Sequence, residues 1–313
     1  MSYRLYANAV DITHLAGGLT WSSDVDTLGQ SLEFELPFDV DGVLMPKQFV
    51  HVGDKITLRY DNNIIFLGIV IDEDRNGRQP IKYSCFDLAF YLNKNMLTIQ
   101  FNNMTATQAI QQLCNRVGIK SNITNIPVNI KKIYKAQTVS DILKDILTIA
   151  EEQNGIKYRF EMRGDVLAVY QWKDIRVNAN VEWISNPTRK LSIENMKNRI
   201  EITSGDEKTT KIVASVSDDN NIRKYGLLTH AQTIDEKELR KARTVAANLL
   251  KEMNRIQEDN SVSLIGNYEA RAGRIITLNE RITGMNGDYL IKSASHTYNN
   301  GIHLMNLNLE VST

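Results

Sequence analysis

The sequence predicts a mainly β protein with α+β insertions, in which two β-barrel domains are separated by a small α+β domain. Three observations support this prediction: alternating apolar residues at both ends of the chain, two helical patterns in the middle, and a short stretch that recurs near the C-terminus. We expect the first barrel domain at 1–94, the α+β domain at 95–185 and the second barrel domain at 186–313. A length of 313 residues allows each domain its own core.

The first barrel domain is predicted from segments in which every second residue is apolar. The alternation runs from Leu32 to Phe38 and returns at 56–60 and 65–71. A period of two places one face of each strand against a core. Turn-forming stretches rich in glycine and asparagine separate the segments, which is typical of a barrel or a sandwich.

The middle of the chain changes to helical spacing. Thr105 and Gln108 match a capping box ahead of apolar residues spaced by three and four. A second helix is expected to begin at Thr138 and to end at Gly155, and a hairpin follows it. Two helices followed by a hairpin predict the α+β domain.

The last third returns to a period of two, most clearly at 305–311. One inserted helix is expected at about 235–257, with Asp235 as its N-cap and Glu238 in the capping-box position. Its apolar stripe fits a coiled coil with a partner helix or packing on its own domain. A length of about three heptads favours packing on its own domain.

Two distant stretches share residues and spacing. The shared residues are Gly53, Ile56, Thr57 and Leu58 in the first stretch and Gly273, Ile276, Thr277 and Leu278 in the second. Another glycine follows each stretch, Gly68 and Gly287, and each unit ends in a predicted strand, 81–87 and 302–311. A glycine ahead of a strand supplies a turn conformation that strains other residues. We interpret the two stretches as a structural repeat, one barrel type used twice.

Composition and charge narrow the function classes. The 37 Lys and Arg residues balance 37 Asp and Glu residues, so the whole chain lacks the positive charge typical of nucleic-acid binding. The N-terminus shows no signal-peptide pattern, and no apolar run reaches the roughly 20 residues that span a bilayer. We expect no nucleic-acid binding, no membrane insertion by this chain, and synthesis in the cytoplasm.

The two cysteines, Cys85 and Cys114, form no CxxC pair and show no metal-ligand spacing. We expect two reduced, buried thiols, with a disulfide between them as the alternative.

The residues that could form a metal or catalytic site are better explained by structural roles. Asp72, Asp74, Asn76 and Gly77 match the start of an EF-hand loop, but Tyr83 stands where that loop needs a bidentate carboxylate. A polar hairpin turn is therefore the prediction.

His296 and His303 are too few for a metal site, which needs three or four ligands. Glu151 and Glu152 are adjacent on a predicted helix and point in different directions, unlike the facing carboxylates of a glycosidase. Short hydrolase and nucleotide-binding motifs are absent. We predict no catalytic residues, no metal and no cofactor.

The order of parts, a strand-rich start, a helix–hairpin middle and a β-rich end, resembles the XkdQ-like tail proteins of defective prophages. Three segments carry the resemblance: CFDLAFYLNK at 85–94, GDYLIKSASH at 287–296 and GIHLMNL at 301–307. The resemblance covers essentially the whole chain. That family is similar to the late-control-D-like baseplate hub proteins of contractile tails and to the hub part of secretion-system spike proteins.

The resemblance implies a structural, non-enzymatic hub of a contractile tail baseplate, in a phage, a defective prophage or a phage-tail-like bacteriocin. It implies a homotrimer whose tail-tube-like barrels adapt a hexameric tail tube to a trimeric spike. The tail tube protein, the spike protein and other baseplate subunits are the implied partners. An internal repeat is what such an adaptor needs.

Two other functions compete with the hub. One is a peptidoglycan-degrading tail hydrolase with an unrecognised site. The other is a carbohydrate- or receptor-binding tail module, which predicts exposed aromatic platforms. The tryptophans are Trp21, Trp172 and Trp183, and the first two lie in strand-like contexts that suit a core.

Overall fold

The fold is mainly β with α+β insertions, which confirms the predicted fold class. The contacts divide the chain into a first unit, Met1–Pro187 with Ser261–Thr313, and a second unit, Thr188–Asn260. The division into three domains at 1–94, 95–185 and 186–313 stays a prediction. The computed structural model describes residues 3–39, 49–172, 175–178, 184–205, 210–234, 239–240 and 242–312.

The N-terminal strands of the first unit curve into what we call the first half barrel. Its strands are β1 (Tyr3–Ala7), β2 (Val10–Asp11), β3 (Gly17–Asp24), β4 (Gln30–Leu36), β5 (Lys55–Tyr60), β6 (Asn63–Asp74) and β7 (Ile81–Asp87). Their order in the sheet is β3-β4-β7-β6-β5-β1-β2. Leu32 and Phe34 are buried in its core, as the alternation predicts.

The α+β part of the first unit follows. Its elements are α1 (Ala89–Lys94), β8 (Met96–Thr105), α2 (Ala106–Arg116), β9 (Lys120–Ile123), β10 (Asn129–Thr138), α3 (Val139–Asn154), β11 (Tyr158–Arg163) and β12 (Val166–Gln171). The capping box at Thr105 and Gln108 is confirmed, and the Thr138 side chain caps α3. Gly155, in the left-handed conformation, ends α3. The three helices share one apolar core.

The chain then passes through β13 (Arg176–Val177) and β14 (Ser185–Ser192) into the second unit. The elements of that unit are β15 (Arg199–Ser204), β16 (Lys211–Ser217), α4 (Asp219–Tyr225), β17 (Thr229–Thr233) and α5 (Ala242–Met253). The three strands form a small sheet in the order β16-β15-β17.

The inserted helix is present as α5, and it packs on its own unit. Ala242 and Ala246 are buried against Ile200 and Ile202 of β15. The helix ends at Met253, so the expected extension to 257 is wrong. The expected cap residues Asp235 and Glu238 lie outside the described residues.

The last strands return the chain to the first unit and form the second half barrel together with β13 and β14. They are β18 (Gln257–Ile265), β19 (Ile275–Asn279), β20 (Asn286–Asn299) and β21 (Ile302–Val311). Here the order is β14-β18-β21-β20, and β19 pairs with both β13 and β20. Because β20 also pairs with β3, the two half barrels share one 13-stranded sheet.

Cys85 and Cys114 are free and buried, as predicted, and burial raises the pKa of both thiols. Within the described ranges, none of the helices combines the length and apolar character that a bilayer crossing requires.

Candidate functional site

The turns before β5 and β19 have the same backbone geometry. Gly53 has φ 91° and Gly273 has φ 88°. The N–H of Gly53 donates to the Val70 carbonyl at 2.8 Å, and the N–H of Gly273 donates to the Ile291 carbonyl at 2.7 Å. In both turns the accepting residue donates back, at 2.9 Å, to the carbonyl of the residue after the glycine. A positive φ of this size explains why both turns use glycine.

The strands that follow the two turns also correspond. Both pair antiparallel with the next strand, β5 with β6 and β19 with β20. A bulge interrupts the following ladder after Val70 in β6 and after Ile291 in β20, the same residues that bond the turn glycines. The matched apolar residues are fully buried, whereas the matched threonines, Thr57 and Thr277, are more exposed. The buried four are Ile56, Leu58, Ile276 and Leu278.

The glycines that follow the two stretches, Gly68 and Gly287, do not occupy equivalent positions. The match of these two glycines in the sequence was therefore wrong. Gly68 lies opposite Ile56, whereas Gly287 lies opposite Leu278. The residue opposite Ile276 is Tyr289. A Cβ on Gly68 would lie 2.1 Å from the Phe86 carbonyl oxygen. Spacing along the chain cannot show on which rung of a ladder a residue lies.

A cavity of about 360 Å³ lies where both half barrels and the α+β part meet. Arg271, which is buried, donates from Nη2 to the carbonyl of Ile65 in β6 and from Nη1 to the carbonyl of Met162 in β11, the latter at 3.5 Å. One guanidinium of the second half barrel therefore bonds the backbone of the other two parts.

Two carboxyl groups line the same cavity in different electrostatic states. Asp87 accepts the N–H groups of Gln30 and Ala89, each at 2.9 Å, and burial raises its pKa to about 7. Burial by itself raises the pKa of Glu161. The nearby guanidinium groups have the larger effect, so that the pKa of Glu161 is lowered overall. Arg274 donates to Glu161 at 3.0 Å. Oδ1 of Asp87 is held by backbone at the start of α1 and Oδ2 by backbone at the start of β4, which favours a structural role.

His296 and His303 form a hydrogen-bond chain between the half barrels. The chain runs from Tyr3 Oη to His303 Nδ1 at 2.7 Å, from His303 Nε2 to His296 Nδ1 at 3.0 Å, and from His296 Nε2 to the Ala270 carbonyl at 2.8 Å. Since a carbonyl only accepts, the His296 proton is on Nε2, and the network assigns the His303 proton to Nε2 as well. All four ring nitrogens are engaged, which supports a structural role for both histidines.

The surroundings of this chain keep both imidazoles neutral. Burial lowers the pKa of His296 to about 3 and that of His303 to about 4. The Trp21 ring stacks on His296 with centroids 4.9 Å apart. Trp21 is buried, Trp172 is partly covered by Lys157 and Arg159, and Trp183 lies outside the described residues.

The other candidate residues lie apart from the cavity, except for Glu151. Asp72 and Asp74 end β6, and Gly77, with φ 57°, forms the turn to β7, which confirms the polar hairpin. Glu151 also lines the cavity rim, and Glu152 is exposed on the last turn of α3. Within the described ranges, no group of three or more metal-ligating side chains is found.

Known proteins resemble this chain in sequence and in fold. The sequence model of the family described as YQBQ-like matches residues 19–310. The chain belongs to the YQBQ-like family. Among curated relatives, it is 22% identical to the phage-like element PBSX protein XkdQ of Bacillus subtilis (strain 168), over 88% of this chain and 89% of XkdQ. The resemblance to XkdQ-like phage tail proteins is confirmed.

Solved structures of other proteins have the same fold as this YQBQ-like chain. The 43 kDa tail protein of prophage MuSo2 from Shewanella oneidensis has a TM-score of 0.74 at 14% identity, over 99% of this chain and 98% of that one. An E. coli type VI secretion component, c3393, described as structurally similar to the T4 tail proteins gp27 and gp5, has a TM-score of 0.54 at 9% identity, over 99% of this chain and 77% of that one. These likenesses show the fold.

Sequence reasoning missed the charged residues at the cavity of this YQBQ-like chain. Glu161 lies more than 100 residues before Arg271 and Arg274 in the chain, and charged residues are rarely buried unless they are paired. The matched stretch gave no signal for Arg271, because the residue at the equivalent position before the first turn, His51, is exposed.

Proposed function

We propose that this YQBQ-like chain is the non-catalytic central hub of a contractile tail baseplate, acting as a homotrimer between a hexameric tail tube and a trimeric spike. The observation that carries the proposal is the pair of half barrels with the same glycine turn, strand pairing and bulge. Three chains with two related half barrels each would offer six related surfaces to a sixfold tube. We therefore interpret the repeat that contains Gly53 and Gly273 as a duplication of one half barrel.

The fold relationships support the same proposal. The matched proteins include phage tail proteins and a secretion component described as similar to gp27 and gp5. The partners that we infer are the tail tube protein, the spike protein and other baseplate subunits. The chain would be made in the bacterial cytoplasm and then assembled into the tail of a phage, a defective prophage or a phage-tail-like bacteriocin.

Copy number tests this proposal. Native mass spectrometry of the full chain with its tube and spike proteins is expected to show three copies of the chain in each assembly. A stable assembly with six copies, or one that lacks the chain, contradicts the hub. A monomer of the isolated chain in dilute solution would not contradict the hub, because partners supply part of the interface energy.

A tail-associated peptidoglycan hydrolase is the second candidate, and one observation favours it. Asp87 and Glu161 line one cavity with their pKa values displaced in opposite directions, an arrangement that some hydrolases use for acid–base chemistry. A zymogram with bacterial cell walls separates the two functions. The hub predicts no clearing, whereas clearing that Glu161→Gln abolishes would establish the hydrolase.

A further inference from the structure

The cavity between the half barrels and the α+β part contains two guanidinium groups without a carboxylate partner at close range. Arg271 donates to the carbonyls of Ile65 and Met162. Arg159 donates from Nη2 to the carbonyl of Val25 at 3.3 Å. Within the described ranges, neither arginine forms an ion pair with a carboxylate. Carbonyl oxygens satisfy some of the N–H groups but leave the positive charges without a counterion.

The two carboxyl groups inside the cavity are already engaged with other groups. Glu161 pairs with Arg163 at 2.6 Å and with Arg274 at 3.0 Å. Asp87 accepts two backbone N–H groups, and burial raises its pKa to about 7, so that it carries only part of a negative charge at neutral pH. Four arginines therefore surround two carboxyl groups, and the interior has an excess of positive charge.

The charged residues at the rim of the cavity are exposed to solvent. Asp24, Asp26 and Glu151 stand against Lys144 and Lys157. Lys144 is held at the rim, because its Nζ donates to the carbonyl of Asp26 at 3.0 Å. Water and salt screen exposed charges much more than buried ones. The buried arginines therefore decide which charge the interior accepts.

Arg159 is placed to bind an anion. Its guanidinium lies over the Trp172 ring, with Cζ 4.5 Å from the ring centroid. Apart from the bond to the Val25 carbonyl, its N–H groups have no acceptor in the described part of the chain. Burial lowers the pKa of Arg159, because removal from water disfavours the charged form. A carboxylate beside it would offset this cost and accept two parallel hydrogen bonds from one guanidinium.

Apolar side chains form other parts of the same wall. Leu147 of α3 and Met162 of β11 are buried and line the cavity, and the rings of Phe160 and Trp172 line it while partly exposed. The volume of about 360 Å³ lies in the range of pockets that hold small molecules. The cavity thus combines a cationic interior with apolar walls.

We propose that this cavity binds a ligand in which one carboxylate is attached to an apolar group, with the carboxylate on Arg159 and Arg271 and the apolar group against Leu147 and Trp172. A single negative charge suits the interior, because a second one would lie beside Glu161. A free organic acid and the C-terminal carboxylate of a polypeptide share this chemistry. All residues of the site belong to the first unit, so binding requires neither the hub assembly nor a second copy of the chain.

Calorimetric titration of the full chain tests the charge of the ligand. The probes are N-acetylphenylalanine and its amide, which differ only in the carboxylate. We expect the acid to bind at least tenfold more tightly, because a guanidinium bonds a carboxylate more strongly than a neutral amide. Equal binding of the two probes, or no binding of the acid, overturns the proposal.

Arg159→Gln tests the site itself. This variant is expected to weaken binding of the acid at least tenfold and to change binding of the amide less than about twofold, because it removes the charge but keeps a donor. The matched control is Arg199→Gln, at a partly buried arginine of the second unit, which should leave both affinities unchanged. Thermal denaturation without ligand shows that each variant is folded. Undiminished binding of the acid by folded Arg159→Gln contradicts the site.

Tryptophan fluorescence locates the bound acid without any change to the arginines. Binding beside Trp172 is expected to change the emission of the unmodified chain. Trp172→Phe is expected to remove this change, although the other two tryptophans remain. An acid that binds without changing the emission, or a change that persists in Trp172→Phe, places the ligand elsewhere and refutes the proposal.

A second acid, hydrocinnamate, distinguishes the two sources of the carboxylate. It keeps the phenyl ring and the carboxylate of N-acetylphenylalanine but lacks the acetylamino group of a peptide. Equal affinities identify a free organic acid as the ligand class, whereas at least tenfold tighter binding of N-acetylphenylalanine identifies a polypeptide C-terminus. None of these results changes the copy number that tests the hub.

Discussion

The two half barrels follow the same backbone path but have different neighbours. A Cβ on Gly53 would meet no atom within 4 Å, whereas a Cβ on Gly273 would lie 2.4 Å from Nε of Arg159 in the α+β part. Likewise, the later part of the β20 edge is covered by β3, while the same part of the β6 edge is exposed. The second half barrel faces the rest of its own chain where the first faces solvent.

This difference shows which features the repeat retains. The shared features are backbone hydrogen bonds, the glycine turn and the bulge, whereas side chains on equivalent rungs diverge as far as Gly68 and Tyr289. The outer strands differ too, because β1 pairs antiparallel with β5 and β13 pairs parallel with β19. A backbone pattern can persist while each copy adapts its side chains to different surroundings, which explains why few identical residues remain.

The largest effect is expected in the second core. Leu307 is fully buried in β21, so Leu307→Ala should lower the free energy of unfolding by about 2–5 kcal/mol. Its neighbours Asn306 and Asn308 are exposed, and their replacement by alanine should cost far less. Urea denaturation of the three variants measures this difference. Equal costs on both faces would contradict the register of β21.

A second prediction compares equivalent rungs of the two closing strands. Asp87 lies opposite Gly68, and Val311 lies opposite Tyr289. Asp87→Ala leaves the buried N–H groups of Gln30 and Ala89 without their acceptor and should cost about 2–4 kcal/mol. Val311→Ala, at a partly exposed position, should cost about 0.5 kcal/mol or less. Similar costs in urea denaturation would mean that Asp87 does not anchor this junction.

Local patterns in the sequence were sufficient for much of the fold. The alternation at Leu32 and Phe34 and the caps at Thr105 and Thr138 depend on residues close together in the chain. The pairing of β20 with β3 and the Arg271 contacts join segments more than 100 residues apart, and no local periodicity in the sequence predicts such pairs. The separate sheet of the second unit was also not foreseen, because its short strands resemble those of a barrel.

Acid should weaken the connection between the half barrels through His296. Its pKa falls to about 3 in the folded chain, so between this value and the ordinary value near 6.5 the unfolded chain binds more protons. The contribution of His296 to the free energy of unfolding therefore has its full value above about pH 6.5 and decreases as the pH falls. The expected slope is about 1.4 kcal/mol per pH unit, or about 2 kcal/mol by pH 5.

The measurement must separate His296 from Asp87, which acts in the opposite direction. Burial raises the pKa of Asp87 to about 7, so its protonated form favours the folded chain as the pH falls. We therefore compare urea denaturation of the unmodified chain and of His296→Gln from pH 7 to pH 5. The difference between the free energies of unfolding of the two proteins should change with pH in this range. A constant difference for His296→Gln would exclude the neutral hydrogen-bond chain.

The smallest expected difference between the two half barrels is an excess cost of about 1 kcal/mol at the second turn. Gly53→Ala and Gly273→Ala both force a side chain into nearly the same positive φ, which should cost about 1–3 kcal/mol at either position. Gly273→Ala must also displace Arg159 from its place over Trp172, and this should add about 1 kcal/mol. In an Arg159→Ala background the added cost should disappear, so that both turns become equally sensitive. Thermal and urea denaturation of the single and double variants measure the excess. If the excess persists without Arg159, the two turns differ in backbone strain itself, and their likeness would then be limited to hydrogen bonding.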